Sequence, residues 1–122
     1  MNTENREKIE QKNITIKIID NKDVEQHYMI SIESEGIELK NVAIIPTFKY
    51  LITDNKKEAR TKVYLNVPYT IKVYKTNAQE LKDYFKHPKK GQKDMKAEKP
   101  LVQKTFTPTP DTNILILKVN SN

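Results

Sequence analysis

The sequence predicts an all-β fold, an antiparallel β-sandwich of about seven strands with one short helix near residues 77–86. Apolar and polar residues alternate over most of the chain, the period of strands that bury one face. The clearest stretch is Thr61 to Tyr74. There Val63 and Leu65 share a face, as do Tyr69, Ile71 and Val73, while Lys62, Thr70 and Lys72 point away. Apolar residues make up only 36% of the chain and Trp is absent, so the core must be lean and built from Ile, Val, Leu and Tyr, as a thin two-layer structure allows. A chain of 122 residues has room for one such core. The expected organisation is a flexible N-terminal arm over residues 1–12 and a single domain over 13–122.

The elements follow in order. Residues 2 to 12 are charged and carry no periodicity, which defines the arm. Ile14, Ile16 and Ile18 alternate with Thr15 and Lys17 in the first strand, and Asp20 to Asp23 form a turn. Tyr28, Ile30 and Ile32 alternate in the second strand, and Gly36 supplies a positive φ for a hairpin into Ile37 to Ile45. Pro46 interrupts that strand, because proline cannot donate to a ladder. Phe48, Tyr50 and Ile52 resume the alternation before a turn at Thr53 to Lys56. Thr61 to Tyr74 reads as two strands folded back on each other through Asn66, Val67 and Pro68.

Asn77 followed by Glu80 has the spacing of a capping box, and Leu81, Tyr84 and Phe85 fall on one helical face, which predicts the helix. From His87 to Pro100 no periodicity survives, the pattern of a long surface loop. Leu101 to Thr107 returns to strand pattern, and Pro108 and Pro110 set a rigid turn. Asn113 to Asn120 forms the last strand. Its apolar residues lie on both faces, Leu115, Leu117 and Val119 on one and Ile114 and Ile116 on the other, which predicts a central or covered strand.

The threonine-led strand, the phrase Leu65-Asn-Val-Pro68 and the strand Tyr69-Thr-Ile-Lys-Val73 together resemble the carboxypeptidase-regulatory-like and prealbumin-like (transthyretin-like) β-sandwich domains. The segment Phe106 to Leu117 is similar to the closing segment of such domains. The resemblance covers roughly the second half of the chain. The glycine common before the Tyr-Thr strand and the Asp-Gly turn ahead of the threonine-led strand are both missing here. The resemblance implies a prealbumin-like sandwich serving mostly as an accessory module, attached to enzymes, surface fibres, receptors or secretion assemblies. It carries no active-site residues onto this chain.

Composition narrows the chemistry. With no Cys, disulfides and thiolate metal sites are excluded, and the compartment is left open. The N-terminal ten residues have no apolar stretch, and no window approaches the ~18 apolar residues of a membrane span. A soluble chain without a transmembrane segment is expected, and export of a mature form stays compatible with it. The two glycines stand alone, so no Gly-rich phosphate cradle exists, and none of the three serines lies in a nucleophile-elbow pattern. Asp23, Glu25 and His27 alternate at a spacing that could hold a hard or borderline cation, but two carboxylates and one imidazole on an exposed strand are more often simply solvated, and Asp83 and His87 sit four apart as an ordinary helical ion pair would. The chain is therefore expected not to be an enzyme, with no cofactor and no metal.

Two features point to partners. Segment 82–104 holds eight lysines against three acidic residues and so carries most of the formal net charge of +6. Lys86, Lys89, Lys90, Lys93, Lys96 and Lys99 are candidate contact residues in it. Arg occurs only at positions 6 and 60, which is unlike most nucleic-acid readers. Tyr64 and Tyr74 alternate out of phase with the core residues and are expected to point outward, as a second pair of contact candidates. The sequence thus predicts a non-catalytic binding or structural module that docks onto a protein partner within a larger assembly, of fibre, secretion or phage type. The alternative is a polyanion- or nucleic-acid-binding protein using the Lys-rich loop 86–104.

Overall fold

The computed structural model describes residues 10–39, 42–44, 46–76, 86 and 99–119. Among them are nine strands: β1 (Gln11–Ile19), β2 (His27–Ser34), β3 (Ile37–Leu39), β4 (Val42–Ile44), β5 (Thr47–Ile52), β6 (Glu58–Tyr64), β7 (Tyr69–Thr76), β8 (Val102–Phe106) and β9 (Ile114–Lys118). Seven of these form two sheets, one ordered β6-β1-β9 and the other β5-β2-β7-β8, and β3 and β4 make a separate small ribbon. The helix expected over 77–86 lies outside the described residues except for Lys86.

The two sheets share one core. Ile14, Ile16 and Ile18 of β1 are fully buried together with Tyr28, Ile30 and Ile32 of β2, Ile71 and Val73 of β7, and Val63 of β6. In β1 and β6 the intervening residues are half-buried or exposed, so the period of two in the sequence is the period of burial there, whereas in β2 Met29 and Ser31 on the opposite face are buried as well. β1 is the middle strand of its sheet, and β2 and β7 are the middle strands of theirs. The cleanest burial alternation lies in β1, β6 and β9, while β2, paired on both sides, is buried on both faces.

Four local expectations are corrected. β6 and β7 do not form a hairpin: β6 pairs antiparallel with β1, whereas β7 pairs with β2 and β8. Between them the chain arches from one sheet to the other. Asn66 takes a left-handed φ of 66°, Val67 is fully buried in the corner, and the Asn66 amide donates to the Pro108 carbonyl at 2.9 Å. Asn is among the few residues that adopt this conformation cheaply. The Tyr64 amide donates to the Tyr69 hydroxyl at 2.9 Å, which closes the arch from the other side.

The second correction concerns Gly36, whose φ is 86° as expected, but the turn leads β2 into the β3–β4 ribbon rather than into a neighbour of β2. The described residues of the span Ile37 to Ile45 form two three-residue strands, Ile37–Leu39 and Val42–Ile44, and β2 is flanked instead by β5 and β7. Third, the architecture is not purely antiparallel, because β9 runs parallel to β1. Fourth, among the described residues β9 is an edge strand, not a central or covered one.

Shared burial predicts the cost of emptying the core. Ile16→Ala and Ile71→Ala should each lower the unfolding free energy by about 2–5 kcal/mol in urea titrations. The outward Thr15→Ala should change it by less than about 0.5 kcal/mol.

Candidate docking edge

The residues singled out in the sequence do not come together. Tyr64 is half-buried and packs against the core. Tyr74 does leave the core face, but it is only 5% exposed, in register with Met29 and packed with Tyr50 and Ile52. Neither ring is a free contact surface. Lys86 and Lys99 are exposed, and Lys89, Lys90, Lys93 and Lys96 lie outside the described residues.

The edge of the three-stranded sheet offers a different surface. Ile114 and Ile116 of β9 are 50% and 45% exposed, and Ile19 at the end of neighbouring β1 is 38% exposed. The backbone explains what else this strand presents. The Thr15 amide donates to the Asn113 carbonyl at 3.0 Å, and the Val119 amide donates to the Ile19 carbonyl at 2.8 Å. In a parallel ladder bonded at those ends, the odd-numbered residues of β9 turn their amides and carbonyls toward β1. Ile114, Ile116 and Lys118 turn theirs away, and among the described residues no strand receives them. Apolar side chains and unpaired main-chain groups thus belong to the same residues, the combination most proteins suppress at a sheet edge.

The other edges carry lysine or polar residues, although Phe48 of β5 is 42% exposed. At the opposite rim β5 comes against β6, and the Lys49 ammonium reaches across to donate to the Lys62 carbonyl at 3.1 Å. Burial there lowers the Lys49 pKa from the usual lysine range. β8 is an edge too, but Gln103, Lys104 and Thr105 are all polar and exposed. Lysine on an edge is a common guard against strand addition.

With β5 set against β6 at one rim, three strands face four, and among the described residues β8 has no strand opposite it. The side chains of β8 record this. Val102, Lys104 and Phe106 are in register with the core residues Val73, Ile71 and Tyr69 and therefore lie on the core side of the sheet. Yet Lys104 is exposed, and Val102 and Phe106 are only half-buried. Among the described residues, the free edge of β9 and the inner face of β8 therefore border one vacancy. The sequence held no signal for it, because an alternating apolar pattern on both faces reads the same for a covered strand and for an edge awaiting a partner.

The ionisable groups around Asp20 and His27 are engaged in structure. The Asp20 carboxylate, 1% exposed, accepts from the Lys57 ammonium at 2.7 Å, from the Tyr28 hydroxyl and from the Lys22 amide at 3.2 Å. The Lys57 ammonium also donates to the Lys22 carbonyl at 3.0 Å. Burial pushes the Asp20 carboxyl up, but the hydrogen bonds from Lys57, Tyr28 and the Lys22 amide, with the Lys57 charge, outweigh it and hold the group below the usual carboxylate range. Burial, and then the Asp20 bond and charge, push the Tyr28 phenol up. His27 Nδ1 lies 2.9 Å from the Thr53 carbonyl, and Nε2 lies 3.6 Å from Glu25. Among the described residues no three His, Asp or Glu side chains gather to hold a metal.

An open groove of about 560 Å³ lies beside Phe48, Pro46, Pro68 and Thr105. Its Glu33 carboxylate stands 3.5 Å from Lys72. Among the described residues no helix is long and apolar enough to cross a membrane. No family model matches this chain, and no curated protein or solved structure does either.

Two outcomes follow from these contacts. Asp20→Asn leaves Lys57 without its counter-charge and should cost about 3–5 kcal/mol. Because the folded Asp20 pKa lies below its unfolded value, its contribution is complete above about pH 4 and is lost as pH falls through the folded value. Urea midpoints measured from pH 7 down to pH 2 should therefore fall more steeply for the natural chain than for Asp20→Asn. On β9, Leu117→Ala should cost about 2–5 kcal/mol, whereas Ile116→Thr should leave thermal stability almost unchanged.

Proposed function

We propose that this chain is a non-catalytic binding module that docks onto a protein partner through main-chain pairing at the free edge of β9. The observation that carries the reading is the coincidence at Ile114 and Ile116 of exposed apolar side chains with main-chain groups turned away from β1. Strand addition at such an edge supplies hydrogen bonds from the backbone and specificity from alternate side chains. The resemblance of residues 61–74 and 106–117 to prealbumin-like domains supports an accessory role of this kind, within a fibre, secretion or phage-type assembly. The ionisable clusters described above are consumed by fold contacts, which also favours binding over chemistry.

The experiment uses an edge block that leaves the fold intact. Ile116→Pro removes an amide that β1 does not use, and proline is tolerated on edge strands. Affinity capture from the native host with the full chain should retain a partner that the folded Ile116→Pro variant loses. Equal capture by both would remove β9 as the docking edge. The excess of lysine over residues 82–104 supports one second reading, polyanion binding. In that case random oligonucleotides should bind with a steep inverse dependence on salt and with indifference to Ile116→Pro.

A further inference from the structure

Resting on the docking role of β9, we infer that the partner contributes a single extended segment carrying an acidic residue among apolar ones, and that this segment occupies the vacancy between β9 and β8 as a fourth strand. Position decides the form of the partner, and charge decides its composition.

A second copy of this chain does not fit. Strands in a sheet lie about 4.8 Å apart and packed sheets about 10 Å apart. If two copies joined β9 to β9, each overhanging β8 would lie above the other copy's β9. That space is already filled by the other copy's second sheet, in which β7 and β8 lie side by side. The occupant must therefore bring no second layer on its inner side. A lone extended segment meets this condition, and a strand within a finished two-layer domain does not.

The faces that meet the segment set its residues. On the inner side it passes over Val102, Lys104 and Phe106, apolar residues flanking one ammonium. On the outer side it runs beside Ile114, Ile116 and Lys118. Among the described residues neither Lys104 nor Lys118 has a carboxylate partner. The outer face of the three-stranded sheet adds Lys17, Arg60 and Lys62 against Glu58 and the Asp54 carboxylate beside Arg60, so with Lys104 and Lys118 the field at the edge is positive. Covering Lys104 with an apolar or basic residue would bury an unpaired charge, whereas a carboxylate at that place supplies a buried pair and rejects other sequences. The inner pattern is thus apolar, acidic, apolar at every second residue. Five residues of β9 give a paired length of about 17 Å.

The probe is a fluorescent nine-residue peptide with threonine at even positions and, at odd positions, valine or isoleucine around a central glutamate. A control peptide carries lysine at the centre. Fluorescence anisotropy with the full chain should show saturable binding of the glutamate peptide. Binding should weaken at least about tenfold on exchange of that glutamate for lysine, on Lys104→Glu, and on Ile116→Pro. Lys104→Glu should instead bind the lysine peptide better than the glutamate peptide, a reversal that general loss of folding does not produce. Equal binding of both peptides, insensitivity to Lys104→Glu, or no binding would overturn the acidic-strand assignment. A discrete dimer in light scattering that Ile116→Pro dissolves would also overturn it, by seating a second copy on the edge. If host capture remains sensitive to Ile116→Pro while the peptide fails, the docking role stands and the segment's chemistry falls.

Discussion

The contact between the isoleucine face of β1 and the Tyr28, Ile30 and Ile32 face of β2 is the constraint on which the rest of the molecule depends. All six side chains are buried to within about two percent of completeness, and each comes from the middle of its sheet. At roughly 25 cal/mol per Å² of apolar surface removed from water, such side chains supply most of the favourable free energy available to so lean a composition. Once β1 and β2 face each other, the positions of the remaining strands follow from pairing. β6 and β9 flank β1, β5 and β7 flank β2, and β8 is carried one place further out by β7. The unequal count of three and four is a consequence of this arrangement, and it leaves one rim sealed and the other open.

The sealed rim and its neighbouring end are reinforced by polar contacts. Lys57 occupies a left-handed conformation with φ of 63°, a position that glycine would adopt at lower cost. Asp54 organises the turn before it, accepting at Oδ1 from the Lys56 amide at 2.9 Å and the Glu58 amide at 3.0 Å. Lysine is explained there by its reach, since its ammonium meets the buried Asp20 carboxylate at 2.7 Å. That ion pair ties the turn between β5 and β6 to the end of β1, and through Tyr28 to the start of β2. Buried pairs of this kind add little net stability relative to an apolar replacement, but they penalise any arrangement that separates them. The pair therefore acts on register. It joins the end of β1 and the start of β2 to the turn between β5 and β6.

The alternating strands were legible in the sequence because burial on one face of a strand is a local property. Ile14, Ile16 and Ile18, or Tyr69, Ile71 and Val73, announce an inner face without reference to any neighbour. Pairing was less legible, because it depends on residues far away in the chain. The turn Asn66 to Pro68 reads equally as a hairpin or as an arch between sheets, and only the burial of Val67 in the corner decides for the arch. Tyr74 alternates as an outward residue does, yet Met29, Tyr50 and Ile52 around it leave it covered. β9 is the most instructive case. Its two apolar faces argue for a covered strand, and the fold leaves one of them open. If a partner strand covers that face, the sequence pattern describes the bound state of β9 rather than the isolated chain.

The most direct test of this account is amide hydrogen exchange along β9 in the dilute, unbound protein. Hydrogen bonds to β1 engage Leu115, Leu117 and Val119, whereas Ile116 and Lys118 point into the vacancy, so protection should alternate residue by residue. Slow exchange at Leu115, Leu117 and Val119 beside fast exchange at Ile116 and Lys118 is the expected result. Slow exchange at all five would mean that the edge is already paired, and the vacancy on which the docking role depends would not exist.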